Sequence, residues 1–112
     1  MGQYYIAVNL DKKQFIKPHD LDDGAKLMEW NHAAQALVIL MSAGNGRGGG
    51  DCRSNHPIIG SWAGDRVVVA GDYSDEGAFG APEEVTIYEH ARETYQNVSA
   101  QILAALKEDE AR

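Results

Sequence analysis

His32-Ala33-Ala34-Gln35-Ala36-Leu37-Val38-Ile39-Leu40-Met41, followed after Ser42-Ala43 by Gly44-Asn45-Gly46-Arg47-Gly48-Gly49-Gly50-Asp51, is the stretch whose reading decides the fold. Read as a helix capped by Asn31, it has high alanine propensity, is apolar nearly all the way round, and ends where Gly44 can turn left-handed. That predicts a buried central helix. Read instead as a buried strand over Leu37 to Met41, it makes Gly44 to Gly49 a literal G-x-G-x-x-G match. The residues that follow decide between the two. A dinucleotide fingerprint must open a helix whose N-terminal amides face the pyrophosphate. Here Asp51-Cys52-Arg53-Ser54-Asn55-His56-Pro57 has no apolar period and ends in a proline. No Gly-Lys-Ser or Gly-Lys-Thr follows either, so the loop is not a Walker A motif. With a helix before it, the loop faces the negative end of a helix dipole. An anion there must be held by loop amides and by Arg47.

On the C-terminal side, Ile58 to Trp62 and Arg66 to Ala70 flank Ala63-Gly64-Asp65 with hairpin spacing, and the three valines predict an interior strand buried on both faces. Gly71-Asp72-Tyr73 leads into an acidic loop, 74–81, long enough to serve as a lid. Pro82, Glu83 and Glu84 suit a helix start, and Tyr88, Ala91, Tyr95, Val98, Ile102 and Ala105 recur at helical spacing. A long amphipathic helix is predicted, with a break near Asn97 to Ser99, where Ser99 can cap a separate helix over 100–108, and a solvated, fraying tail from Lys107. On the N-terminal side, Tyr4 to Asn9 and Gln14 to Lys17 form a hairpin around Asp11-Lys12-Lys13. Pro18 ends it, and Asp22 or Asp23 caps a short helix through Trp30. The expected fold is a single α+β domain over 1–112: two β-hairpins forming a mixed or antiparallel sheet, a buried central helix and a C-terminal amphipathic helix.

Composition bounds the function. The 112 residues are 44% hydrophobic and carry a net charge of −7, with the basic side chains scattered, so direct nucleic-acid binding is not expected. The acidic clusters at 20–23, 75–76, 83–84 and 108–110 suit solubility or docking on a basic partner. The single cysteine, Cys52, fits a reducing cytoplasm. The opening lacks a basic segment followed by an apolar run, and the longest apolar run, Ala36 to Met41, is far short of a membrane span, so neither export nor membrane insertion is expected. Tyr5 and Ile6 stand where a myristoylation signal would carry Ser or Thr.

Five glycines in the seven positions 44–50 are more than a mere connection needs. The candidate ligand site therefore comprises Asn45, Gly46, Arg47, Gly48, Gly49, Gly50 and Asp51, whose amides and guanidinium would hold phosphates. Trp62 or Tyr73 would stack a base, and Asp65 or Asp72, with Arg66 beside them, would meet a ribose or base edge. The plainer alternative is that Asp65 makes a turn, Trp62 fills the core and the glycines permit a close crossing of chains. An enzymatic reading would pair Cys52 with His56, but the sequence supplies no base, orienter and oxyanion site together. Cys52 and His56 with His19 or His32 lack the second half of a zinc pattern, and no cofactor is expected.

Trp62-Ala63-Gly64-Asp65-Arg66 with Gly71-Asp72-Tyr73, the opening Met1-Gly2-Gln3-Tyr4-Tyr5 and the Gly-Asn-Gly-Arg-Gly-Gly-Gly loop resemble small single-domain proteins of bacteria and their phages. The resemblance transfers no catalytic residue. It implies a phage-type protein that disarms a host defence, either a non-enzymatic sponge that sequesters a phosphate-bearing signalling nucleotide or an acidic inhibitor that covers a host nuclease or CRISPR complex. A small enzyme acting on a nucleotide is the third reading. Self-association into a homo-oligomer would help a sponge enclose its ligand.

Overall fold

The first strand, β1 (Tyr5–Asn9), is the centre of the molecule in the computed structural model, which describes residues 2–111. Ile6, Ala7, Val8 and Asn9 are all buried, because both faces of the sheet are covered. Successive side chains point to opposite faces. Ile6 and Val8, with Phe15 and Ala70, pack under Ile87 and Ala91. Ala7 and Ile16 pack with Ala33, Ala36, Leu40, Trp62, Val98, Ile102 and Ala105 on the other side. The architecture is α+β in three layers, with α2 (Ile87–Thr94) on one face and α1 (His32–Leu40) and α3 (Ser99–Glu110) on the other.

The sheet is mixed. β2 (Gln14–Ile16) pairs antiparallel with β1 as the expected hairpin, β3 (Val67–Gly71) pairs antiparallel with the other side of β1, and β4 (Gln96–Asn97) lies parallel to β2, in the order β3-β1-β2-β4. The valine run is therefore an edge strand and not an interior one. Its β-branched residues report a preference for pleated backbone, which an edge satisfies as well as a centre does.

The expected second hairpin does not form. Successive turns over 56–65 join Ile59 N–H to the His56 carbonyl, Ser61 to Ile58, Ala63 to Gly60 and Asp65 to Trp62. The Gly60 and Trp62 amides instead donate to the carbonyls of Ile39 and Leu40, at 3.0 and 2.9 Å, closing the C-terminal end of α1. At Gly60 φ is 72°, and a Cβ would lie 2.7 Å from the Ser42 carbonyl oxygen, so this crossing excludes any side chain.

α1 is helical as expected but buried on one face only. Ala33, Ala36 and Leu40 point inward, whereas Val38 is 68% exposed. Asn31 occupies the N-cap position without a side-chain cap bond. The capping group is Asp23, whose buried carboxylate accepts from the amides of Asn31 (2.7 Å), His32 (3.1 Å) and Ala33 (2.7 Å). The short helix expected through Trp30 reduces to a single 3-10 turn at Leu27–Glu29, with Met28 93% exposed. The chain needs these residues as a strap that brings Asp23 to α1.

The long C-terminal helix is broken where the sequence suggested, with β4 between α2 and α3. α2 starts later than Pro82, at a Thr86 cap whose Oγ1 accepts from the Glu89 amide at 3.1 Å. The Ser99 Oγ accepts from the Lys17 amide at 2.9 Å rather than capping its helix, and the Asn97 side chain holds the Ser99 amide at 2.9 Å. The 74–81 loop is closed by a bond from the Gly77 amide to the Val85 carbonyl at 2.8 Å, and Ala81 is buried beneath α2. Among the described residues no helix is long and apolar enough to cross a membrane.

Candidate functional site

The glycine loop is built around its own two polar side chains. Asn45 closes the base, its Nδ2 donating to the Cys52 carbonyl and its Oδ1 accepting from the Cys52 amide, both at 2.9 Å. Within the loop so closed, Asp51 Oδ2 accepts from the amides of Gly46, Arg47 and Gly48 at 2.9, 3.0 and 3.1 Å. Successive amides converging on one point form an anion nest. Here its occupant is a carboxylate of the same chain. The Gly48, Gly46 and Arg47 amides hold the Asp51 carboxyl below the usual carboxylate range.

The far leg of the loop is fixed to α3. The Arg53 amide donates to Asp109 Oδ1 at 2.7 Å, the Arg53 Nη2 to the Asp109 carbonyl at 3.0 Å, and the Asn55 amide to Glu108 Oε1 at 3.1 Å. The Arg53 amide, then its side chain, hold the Asp109 carboxyl down, despite an opposing desolvation. The expected fraying tail is thus helical through Glu110 and anchors the loop, while Arg112 lies outside the described residues.

Between these anchors lies an open groove of about 1090 Å³, lined by residues 42–56 with Ile59, Gly60 and Ala63. A second trough of about 760 Å³, lined by Val38, Ile39, Leu103 and Leu106, runs between α1 and α3 and shares Ser42, Asn45, Gly50, Asp51 and Cys52 with the first. The groove keeps two side-chain donors open. The Arg47 guanidinium is exposed and makes no hydrogen bond or ion pair among the described residues. His56 Nδ1 accepts from the Ile58 amide at 3.1 Å, so Nε2 is the ring nitrogen left to donate. No hydrogen bond joins Cys52 to His56 among the described residues, and no three His, Cys, Asp or Glu side chains there are placed to hold a metal ion.

Some of the glycines are required by backbone shape and others are not. Gly44, Gly46 and Gly50 have φ near +90°, where L side chains are strained. Gly48 and Gly49 have ordinary φ, and a Cβ on either would meet nothing within 4 Å. Their missing side chains leave bare backbone facing open space beside Arg47.

The remaining expected site residues do not join this groove. Trp62 is fully buried, with Nε1 donating to Gln14 Oε1 at 2.8 Å, and cannot stack a base. Asp65 accepts from Asn9 Nδ2 at 2.8 Å and pairs with Lys12, and these bonds, the Asn9 one first, hold its carboxyl low. Arg66 clamps Asp11 through its amide (2.7 Å) and Nε (2.9 Å). The Asp65 and Arg66 side chains clasp the β1–β2 turn, and Trp62 fills the core as the plainer alternative had it. Asp72 and Tyr73 follow the other end of β3, roughly 17 Å away at 3.3 Å per residue. There the Asp72 Oδ1 accepts from the Tyr4 amide at 3.0 Å, and Tyr73 is 61% exposed. Sequence reasoning missed Asn45 and Asp51 as mutual organisers of the loop, although side chains this short beside a glycine run are known competitors for backbone amides.

Asp51→Ala is expected to empty the nest. In the variant, inorganic phosphate should shift the Gly46 and Gly48 amide resonances in a 15N–1H titration, whereas in the wild-type protein these two should stay in place. Equal shifts in both proteins would show that Asp51 does not fill the nest in solution. No protein-family model matches the chain, and comparison with curated proteins and with solved structures gives no match either.

Proposed function

We propose that the protein is a non-enzymatic binding protein whose glycine-loop groove captures a phosphate-bearing small molecule. The observation that carries this reading is the bare backbone of Gly48 and Gly49, glycines that neither φ nor packing requires, beside an arginine with no partner of its own. With Asp51 in the nest, the ligand's phosphate is met by Arg47, by the amides beyond Gly48 and by the His56 Nε2–H. All of these are donors suited to an oxyanion. With Trp62 in the core and Tyr73 remote, recognition is of the phosphate rather than of a stacked base. The likeness of the chain's motifs to small proteins of bacteria and their phages favours a signalling nucleotide of a host defence as the captured molecule, held unmodified in the host cytoplasm.

A second reading, an acidic inhibitor of a host defence protein, is favoured by the exposed Phe79 and Tyr73 lying among Asp75, Glu76, Glu83 and Glu84. Aromatic side chains of this kind commonly anchor protein interfaces.

Native mass spectrometry of the purified protein with a panel of cyclic and linear nucleotides distinguishes these readings. The expected result is a retained ligand of unchanged mass. Its affinity should fall about 10- to 100-fold in Arg47→Ala, the scale of one lost charge-assisted hydrogen bond. Retention undiminished in Arg47→Ala, or no retention of any nucleotide, would overturn the groove reading. A ligand returned with altered mass would make the protein an enzyme.

A further inference from the structure

The two edges of the sheet are protected unequally. β4 is two polar residues long, Gln96 and Asn97, an edge too short to template further pairing. β3 at the opposite edge runs Val67-Val68-Val69-Ala70-Gly71 without a charge, a proline or a break in register. Bonds from the Leu10 amide to the Arg66 carbonyl and from the Asp72 amide to the Tyr4 carbonyl, both 2.9 Å, fix the phase of the ladder. The even-numbered residues bond to β1, so the N–H and C=O groups of Val67, Val69 and Gly71 point away from the sheet. The Gly71 carbonyl accepts from the Ser74 amide at 3.1 Å, and the other outward groups have no partner among the described residues. Val69 is 36% exposed.

We propose that this edge is where a second copy of the chain adds, antiparallel about a two-fold axis through Val69, so that one continuous sheet crosses both copies. The strand and its flanks are self-complementary in that register. Val69 stands opposite Val69 of the second copy, their outward groups facing one another for two hydrogen bonds, and Val67 stands opposite Gly71, which is buried and whose carbonyl already holds the Ser74 amide, so the Val69 pair carries the bonding. Arg66, which holds Asp11 within its own copy but stays largely exposed, stands opposite Asp72 of the second copy, whose Oδ1 holds the Tyr4 amide, and Asp72 stands likewise opposite Arg66, at non-hydrogen-bonded positions where side chains approach closest. A register shifted by one residue sets outward groups against inward ones. A shift of two pairs them again, but leaves Arg66 against Ala70 or Ser74 and Asp72 against Gly64 or Val68. Charge thus selects the symmetric register, and an isologous contact of this kind closes after two copies.

Analytical ultracentrifugation of the full chain from micromolar to submillimolar concentration tests the proposal, with two variants. Val69→Pro removes an outward N–H that β1 does not use, a position where an edge strand tolerates proline. Val69→Lys sets two ammonium groups against each other at the axis. The wild-type protein is expected to sediment as a dimer. Each variant should be a monomer with unchanged far-UV circular dichroism, its dimer dissociation constant raised by about a hundredfold or more. A wild-type protein that stays monomeric throughout overturns the proposal, as does a dimer that persists in Val69→Lys. If Val69→Pro fails to fold, Val69→Lys alone decides.

Discussion

Trp62→Ala is expected to lose about 3–5 kcal/mol of folding stability, the range for truncating a fully buried tryptophan. The indole is buried in the same core cluster as Ala7, Ile16, Leu40 and Ile102, and its Nε1 satisfies the side chain of Gln14. Small side chains line much of that layer, Ala33, Ala36 and Ala105 among them, and cannot collapse into the gap. A domain of this size has about 5–15 kcal/mol in all, so the variant should be close to unfolding at 37 °C. Trp62→Phe keeps most of the apolar volume but strands the Gln14 oxygen, for a smaller loss of about 1–2 kcal/mol. Urea titration of the three proteins gives the comparison. A loss below about 1 kcal/mol in the alanine variant would mean that Trp62 is not core and would restore it as a stacking residue.

The second large effect is expected at Asp23. Its carboxylate takes three amides at the start of α1, and His32 Nδ1 lies 3.2 Å from Oδ1, so Asp23→Ala removes the cap and leaves the buried Ala33 amide and two half-buried ones unmatched. A loss of about 2–3 kcal/mol follows, with the melting temperature lowered by roughly 10 °C. The same site fixes a pH dependence. Burial by itself would raise the Asp23 carboxyl, but the Ala33, Asn31 and His32 amides outweigh it, and the net shift is downward. A carboxyl lowered in the folded state contributes its stability above the unfolded pKa, about 3.9, and loses it as pH falls through the folded value. Asp11, held low by the Arg66 amide and side chain, has the same sign. Thermal melts should therefore show wild-type stability falling below about pH 4, with a shallower slope in Asp23→Ala. An unchanged slope would place the acid sensitivity elsewhere.

The parts of this fold legible in the sequence are those decided by neighbours. The Tyr5 to Ile16 hairpin announces itself by alternating strand formers around a polar turn, α1 by its alanines, and the division of the C-terminal helix by the break near Asn97 to Ser99, where α3 begins. The illegible parts depend on distant partners. Residues 58–62 carry strand-forming side chains, yet the Gly60 and Trp62 amides answer α1's open carbonyls, which no local pattern records. Asp23 reads as a cap for the residues just after it and serves a helix that starts nine positions later. Thr86-Ile87-Tyr88-Glu89 was available as a capping signature and marks the true start of α2. For the site, the glycine run located the groove, whereas the roles expected of Trp62, Asp65 and Arg66 failed because residue type alone does not distinguish a ligand contact from an internal one.

The strand order β3-β1-β2-β4 also bears on how the chain reaches this state. Only β1 and β2 are neighbours in sequence; pairing Asn9 with Val67 and Gln14 with Gln96 closes loops that span most of the molecule. Such pairings must be brought together against chain entropy before any contact rewards them, and topologies dominated by them fold slowly. The early hairpin can form alone, but its two outer neighbours arrive from separate later stretches, 67–71 and 96–97. Until they do, the central strand offers an apolar face to whatever is near, which makes refolding concentration the variable to control.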